Sequence, residues 1–117
     1  MDAAERCYRV ASELPTEERF ALADQIRRSA VSVPSNIAEG QSRQTTKSYV
    51  AHLRIARGSL AELETQLLLA DRLHLGCTGR LDDLCEELIE IAKMLSALIR
   101  SLNKRAAAAK VNTDSQI

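Results

Sequence analysis

The chain is predicted to be all-α: an antiparallel four-helix bundle of up-and-down connectivity, with a long third helix and a proline-kinked second. Three observations carry this. Apolar residues recur at alternating spacings of three and four along most of the chain, the period of one helix face. Four Gly and two Pro in 117 residues leave too few turns for an all-β domain, while Leu, Ala, Glu and Arg dominate. The periodic stretches number four, with breaks at Pro15, Gly40 and Gly76. At this length the chain is one domain with a single core.

The first stretch, about Ala3 to Leu14, sets Ala3, Cys7, Val10 and Leu14 on one face. Pro15 stops it. Thr16, followed by Glu17 and Glu18, restarts a helix with a capping oxygen and two carboxylates near the positive end of the dipole. The second helix is expected over about Glu17 to Glu39, with Ala23, Ile26, Ala30, Val33 and Ile37 inward and Ser29, Ser32 and Ser35 allowing close neighbours. Pro34 costs up to about 3 kcal/mol in a helix interior and predicts a kink. Nearby Ser or Asn side chains can take up freed backbone groups. Gly40 is expected to end the helix in the left-handed conformation.

The third helix is expected from about Thr46 to Leu75, with Tyr49, Leu53, Ala56, Leu60, Leu63, Leu67 and Ala70 as its seam. Two surplus apolar sets lie off that seam: Val50, Ala61, Leu68 and Leu75, and Ile55, Leu69 and Leu73. A helix apolar on several sides is usually covered on several sides, and in so small a chain other subunits are the expected cover. Gly58, mid-helix at about 1 kcal/mol, suggests a close backbone approach. The fourth helix opens at Thr78 or Gly79 and runs to about Arg105, with Leu81, Leu84, Cys85, Leu88, Ile91, Ala92, Leu95, Leu98, Ile99 and Leu102 inward. Periodicity then stops, so residues 1–105 are expected as the bundle and 106–117 as a frayed or disordered tail.

Composition excludes several functions. Aromatics are 3 % of the chain, too few for base-stacking platforms. Cys7, Cys77 and Cys85 form neither an even disulfide framework nor a close-spaced metal motif, which fits a reducing, cytoplasmic setting. No apolar run reaches the roughly 20 residues of a membrane span. His52 and His74 stand some 33 Å apart at helical rise and cannot share a metal within one chain. Ser32 and Ser59 lack a His partner, Glu62 and Glu64 point apart, and Gly40 and Gly58 are isolated, so no catalytic, cofactor or phosphate-loop constellation is expected.

The formal net charge is zero but unevenly spread. Residues 1–26 carry three basic and six acidic groups, 27–57 six and one, 58–92 two and eight, and 93–117 five and one. Such blocks can attract one another across successive antiparallel helices, or present a basic surface to a ligand. On a helix that already includes Arg43, the side chains of Arg43, Lys47, Arg54 and Arg57 fall within about 80° of one another. With Arg27 and Arg28 before the corner at Pro34 to Gly40, these residues could neutralise phosphates. Equally, Arg54 and Arg57 could pair with acids of a neighbouring helix or subunit.

Two strings go beyond periodicity, Gln25-Ile26-Arg27-Arg28-Ser29-Ala30-Val31-Ser32-Val33-Pro34-Ser35-Asn36-Ile37-Ala38-Glu39-Gly40 and Leu53-Arg54-Ile55-Ala56-Arg57-Gly58-Ser59-Leu60-Ala61-Glu62-Leu63-Glu64-Thr65-Gln66. Through them the chain resembles, over about residues 5 to 104, the four-helix-bundle proteins encoded by intervening sequences of 23S ribosomal RNA genes, also labelled the S23 ribosomal protein family. It is similar in fold to the accessory variability determinant of diversity-generating retroelements, a pentamer that binds a reverse transcriptase and nucleic acid. Those relatives are strongly basic, whereas this chain is neutral. The resemblance implies a barrel-like homopentamer of four-helix protomers and assigns no catalytic residue or cofactor.

The expected function is therefore a non-enzymatic homo-oligomeric scaffold or adaptor for a protein or ribonucleoprotein partner. The alternative is direct RNA or DNA binding through Arg27, Arg28, Arg43, Lys47 and Arg54. Pro34, Asn36, Glu39, Gly40 and Gly58 are expected to act in folding or assembly.

Overall fold

The computed structural model describes residues 2–13, 19–72 and 78–115. They form four α-helices: α1 Asp2–Glu13, α2 Asp24–Ser42, α3 Thr46–Arg72 and α4 Thr78–Ser115. A π-helical turn, Arg19–Ala23, runs into α2 without interruption, since Ala23 is itself helical at φ −62° and ψ −40°. The expected signals at Leu14 to Glu18 and at Leu73 to Cys77, including the stop at Gly76, lie outside the described residues.

Neighbours in sequence pack as neighbours in space, and α1 closes against α4, which is up-and-down bundle connectivity. Contacts fix the antiparallel register of α2 and α3: Ser29 meets Glu62, Ser32 meets Ser59, and Gly40 meets Tyr49 and His52. Between α3 and α4 the register is set by Arg57 and Ser96. The interior is aliphatic. Ile26, Leu53, Leu63, Leu67, Leu84, Leu88 and Cys7 are the largest fully buried side chains. Each such Leu or Ile contributes about 1.5–3 kcal/mol on leaving water. Val50, assigned by spacing to a surplus set, is in fact buried by this chain's own helices, whereas Ile55, Ala61, Leu68 and Leu69 remain exposed.

The α2–α3 corner departs from expectation. Rather than ending at Gly40, α2 continues to Ser42. Arg43, extended at φ −76° and ψ 148°, donates its N–H to the Gly40 carbonyl at 3.2 Å, and Ser42 Oγ donates to the Glu39 carbonyl at 2.7 Å. These bonds occupy carbonyls that a helix end leaves open, so no left-handed glycine is required. Gly40 serves packing instead. A Cβ there would stand 2.9 Å from Tyr49 Cδ1 and 3.0 Å from His52 Cβ, so its absence sets how closely α2 and α3 meet. Thr45 then opens α3, its Oγ1 accepting from the Ser48 N–H at 3.2 Å. The helix stays unbroken through Pro34.

The molecule measures 64 × 21 × 19 Å, its length set by the 38 residues of α4, about 57 Å at helical rise. That helix continues to Ser115, past the limit near 105 that the lost periodicity predicts. Ala106 to Ala109 are exposed, so packing stops where the pattern stops, and the strong helix preference of Ala carries the rod onward. The twelve residues of α1, about 18 Å, cover only part of the bundle. Its ion pair to α4 falls at Glu87; further along, Met94 is 69 % exposed and Leu98, expected inward, is 37 % exposed.

Candidate functional site

The two strings of the sequence pack against each other. Along the α2–α3 seam, Ser32 Oγ and Ser59 Oγ lie 2.7 Å apart, and Ser29 Oγ donates to Glu62 Oε2 at 3.4 Å. Asn36 Nδ2 donates both to the Ser32 carbonyl at 2.8 Å and to Ser32 Oγ at 3.0 Å. Asn36 thus holds a carbonyl within the turn that Pro34 disturbs, and through Ser32 it reaches α3. Small hydroxyls let the helices come close, and the hydrogen bonds offset the loss of water around them. One turn beyond Glu62, Gln66 has a buried Oε1 without a hydrogen-bond partner. At the corner, the His52 ring donates from Nδ1 to the Ser48 carbonyl at 2.9 Å.

The basic residues do not form one surface. Arg27 stacks over the Tyr8 ring, 5.4 Å from its centroid, and Arg28 pairs with Asp24 at 3.2 Å. Both are some 22–24 Å along α2 from Arg43, at helical rise. Arg43 pairs with Glu39 at 2.5 Å, and its extended backbone takes it off the α3 stripe, which begins at Thr46. Lys47 and Arg54 are exposed on α3, and neither has an ion pair among the described residues. Arg57 has no ion pair among the described residues; its Nη1 donates to Ser96 Oγ at 3.3 Å.

The charge blocks do not neutralise across neighbouring helices either. Their sign changes midway along α3 and α4, and antiparallel folding sets the basic halves side by side. Residues 33–57 and 93–105, which share the corner end of the bundle, hold eight basic side chains and one acidic. The described residues 2–13, 19–32, 58–72 and 78–92 hold seven basic and twelve acidic. Among the described residues the ion pair joining different helices is Arg6 with Glu87, from α1 to α4; the other four lie within one helix or at its cap. Spacing alone hides this polarity, because it appears only once the chain is folded back on itself.

The two described cysteines, Cys7 and Cys85, are poor nucleophiles. Burial, with Cys85 nearby, pushes the Cys7 thiol up to about 11, and burial followed by Glu64, Asp82 and Asp71 raises that of Cys85. Among the described residues no three His, Cys, Asp or Glu side chains are placed to hold a metal ion, and no helix is long and apolar enough to cross a membrane.

The features are therefore a polar α2–α3 seam that is hydrogen-bonded except at Gln66 Oε1, an exposed strip of α3, and a basic pole. No curated protein matches the chain. The family model of the 23S rRNA-intervening sequence protein matches residues 1–97, which span α1 to α3 and the packed first half of α4, with both strings inside. The chain belongs to the 23S rRNA-intervening sequence protein family.

Proposed function

We propose that the protein is a non-enzymatic, cytoplasmic, homo-oligomeric scaffold, a pentamer by the resemblance, that presents its helices to a protein or ribonucleoprotein partner. The observation that carries this is the outer strip of α3. Ala51, Gly58 and Thr65 recur every seventh residue along its centre, flanked by exposed Ile55, Leu68 and Leu69. A Cβ at Gly58 would meet nothing within 4 Å, so nothing among the described residues explains a glycine in mid-helix. A second backbone packed there would. Sedimentation equilibrium at micromolar concentration tests the reading. A defined oligomer is expected, and a stable monomer would remove it.

A second reading is direct RNA or DNA binding through the basic surface of Arg27, Arg28, Arg43, Lys47 and Arg54. The charge polarity favours it. A ring of parallel protomers would bring the basic poles together on one rim, and a polyanion would relieve that repulsion. Within the set, Lys47 and Arg54 carry the most weight, because the other three are engaged inside the chain.

A further inference from the structure

We propose that the outer groove between α3 and α4, at the corner end of the bundle, grips the phosphate backbone of base-paired nucleic acid without reading its sequence. The proposal deepens the second reading above, and it moves the contact surface away from Arg27, Arg28 and Arg43.

Arg57 of α3 meets Ser96 of α4 in this groove, which Arg100 also lines, and helical spacing puts Lys47 and Arg54 of α3 and Lys104 of α4 along its rim towards the corner. The bond from Arg57 to Ser96 sets these two helices in register. From that point Arg54 lies about one turn back along α3, and Arg100 about one turn onward along α4. Because the helices are antiparallel, both steps lead towards the same end. Lys47 is two turns from Arg54 and on the same face, as Lys104 is one turn from Arg100. Lys47, Arg54, Arg100 and Lys104 are exposed, and none has an ion pair among the described residues. Acids enter the groove only further from the corner, where Glu64 lines it and Glu90 engages Lys93 at 3.4 Å.

Three features select the partner. Lys47 to Arg57 spans about 15 Å at helical rise, over which one strand of a duplex presents about four phosphates. Three of the five cations are Arg, whose planar fork suits phosphate oxygens. No aromatic side chain is among the groove residues named, so unpaired bases would find no stacking platform, and the lining lacks the aromatic, charge-depleted centre of a protein interface. Duplexes recognised by shape and phosphate position need neither.

The test is fluorescence anisotropy of the full-length protein with a short labelled duplex RNA, with single-stranded RNA of the same composition and length, and with poly-glutamate as an acidic polypeptide. Duplex binding is expected to be tightest and to weaken about 100-fold between about 50 and 200 mM salt, the slope for four phosphate contacts. Arg54→Glu with Arg100→Glu should lower duplex affinity at least about tenfold and flatten that slope by about two contacts. Arg27→Glu with Arg28→Glu should leave both unchanged. Circular dichroism and sedimentation of each variant, run alongside, separate lost contacts from lost fold or assembly. Should the Arg54 and Arg100 pair be indifferent while the Arg27 and Arg28 pair matters, the groove is wrong and nucleic-acid binding survives elsewhere. Absence of duplex binding at low salt would overturn both. Single strands binding as tightly as duplex would overturn the base-paired assignment, and tighter binding of poly-glutamate would replace nucleic acid by an acidic protein.

Discussion

The two long seams of the bundle contrast. Between α2 and α3 the polar groups are small and uncharged apart from Glu62, and most are hydrogen-bonded to one another. Between α3 and α4, towards the corner, the charged groups are long and cationic, and among the described residues they lack partners of opposite charge. The first seam uses its polarity to bring backbones together, whereas the second leaves its polarity facing outward. A seam that only had to hold the fold would not gather unpaired cations. Substitutions along the first seam should therefore register as stability, and those along the second as binding.

The largest effect should come from Gly40→Ala. Alanine is favoured over glycine in a helix by about 1 kcal/mol, yet the added methyl would press on Tyr49 and His52. We expect net destabilisation of about 1–3 kcal/mol, read as a lowered urea midpoint. A more stable protein would mean that the corner yields easily and that the close approach is not a constraint. Next is Asn36→Ala, which removes both bonds to Ser32. A loss of about 1–2 kcal/mol is expected, and a variant that stayed as stable and as assembled as the parent would show that the seam does not depend on its polar network.

Gly58→Ala should act in the opposite sense. With open space around it, the change should stabilise the isolated fold by about 1 kcal/mol, measurable as a higher thermal midpoint. If the strip packs against a second backbone, the same methyl should weaken assembly in sedimentation. A variant that neither gained stability nor lost assembly would remove the functional reading of this glycine. The smallest stability change is expected for Arg54→Glu with Arg100→Glu, within about 0.5 kcal/mol per exposed site. A larger loss would place these arginines in the fold rather than on a binding surface.

Helix number, helix faces and the all-α class were legible in the sequence because the apolar period is unbroken along each element, as in Leu53, Leu60, Leu63 and Leu67. The corner was less legible. Gly40 carries the expected signal of a helix end, but nothing in spacing tells a glycine needed for its backbone angle from one needed for an absent side chain. Val50 was misassigned for a related reason: its angle on α3 is right, but a helix covered from two sides has a wider buried face than a single seam suggests. The basic surface was legible as residue types and not as an arrangement. Arg43 leaves the stripe because α2 outlasts Gly40, and Arg100 and Lys104 join it only because α4 returns beside α3.

The segregation of charge has a physical consequence beyond any ligand. A molecule with no net charge but opposite ends is an electric dipole, and near neutral pH, where its formal net charge is zero, that dipole is the leading electrostatic influence on long-range encounters. At low ionic strength such molecules attract end to end. Added salt shortens the reach of that attraction, to about 8 Å at physiological ionic strength. Solubility near neutrality should accordingly rise with the first additions of salt, a salting-in that a uniformly patterned surface of the same composition would not display.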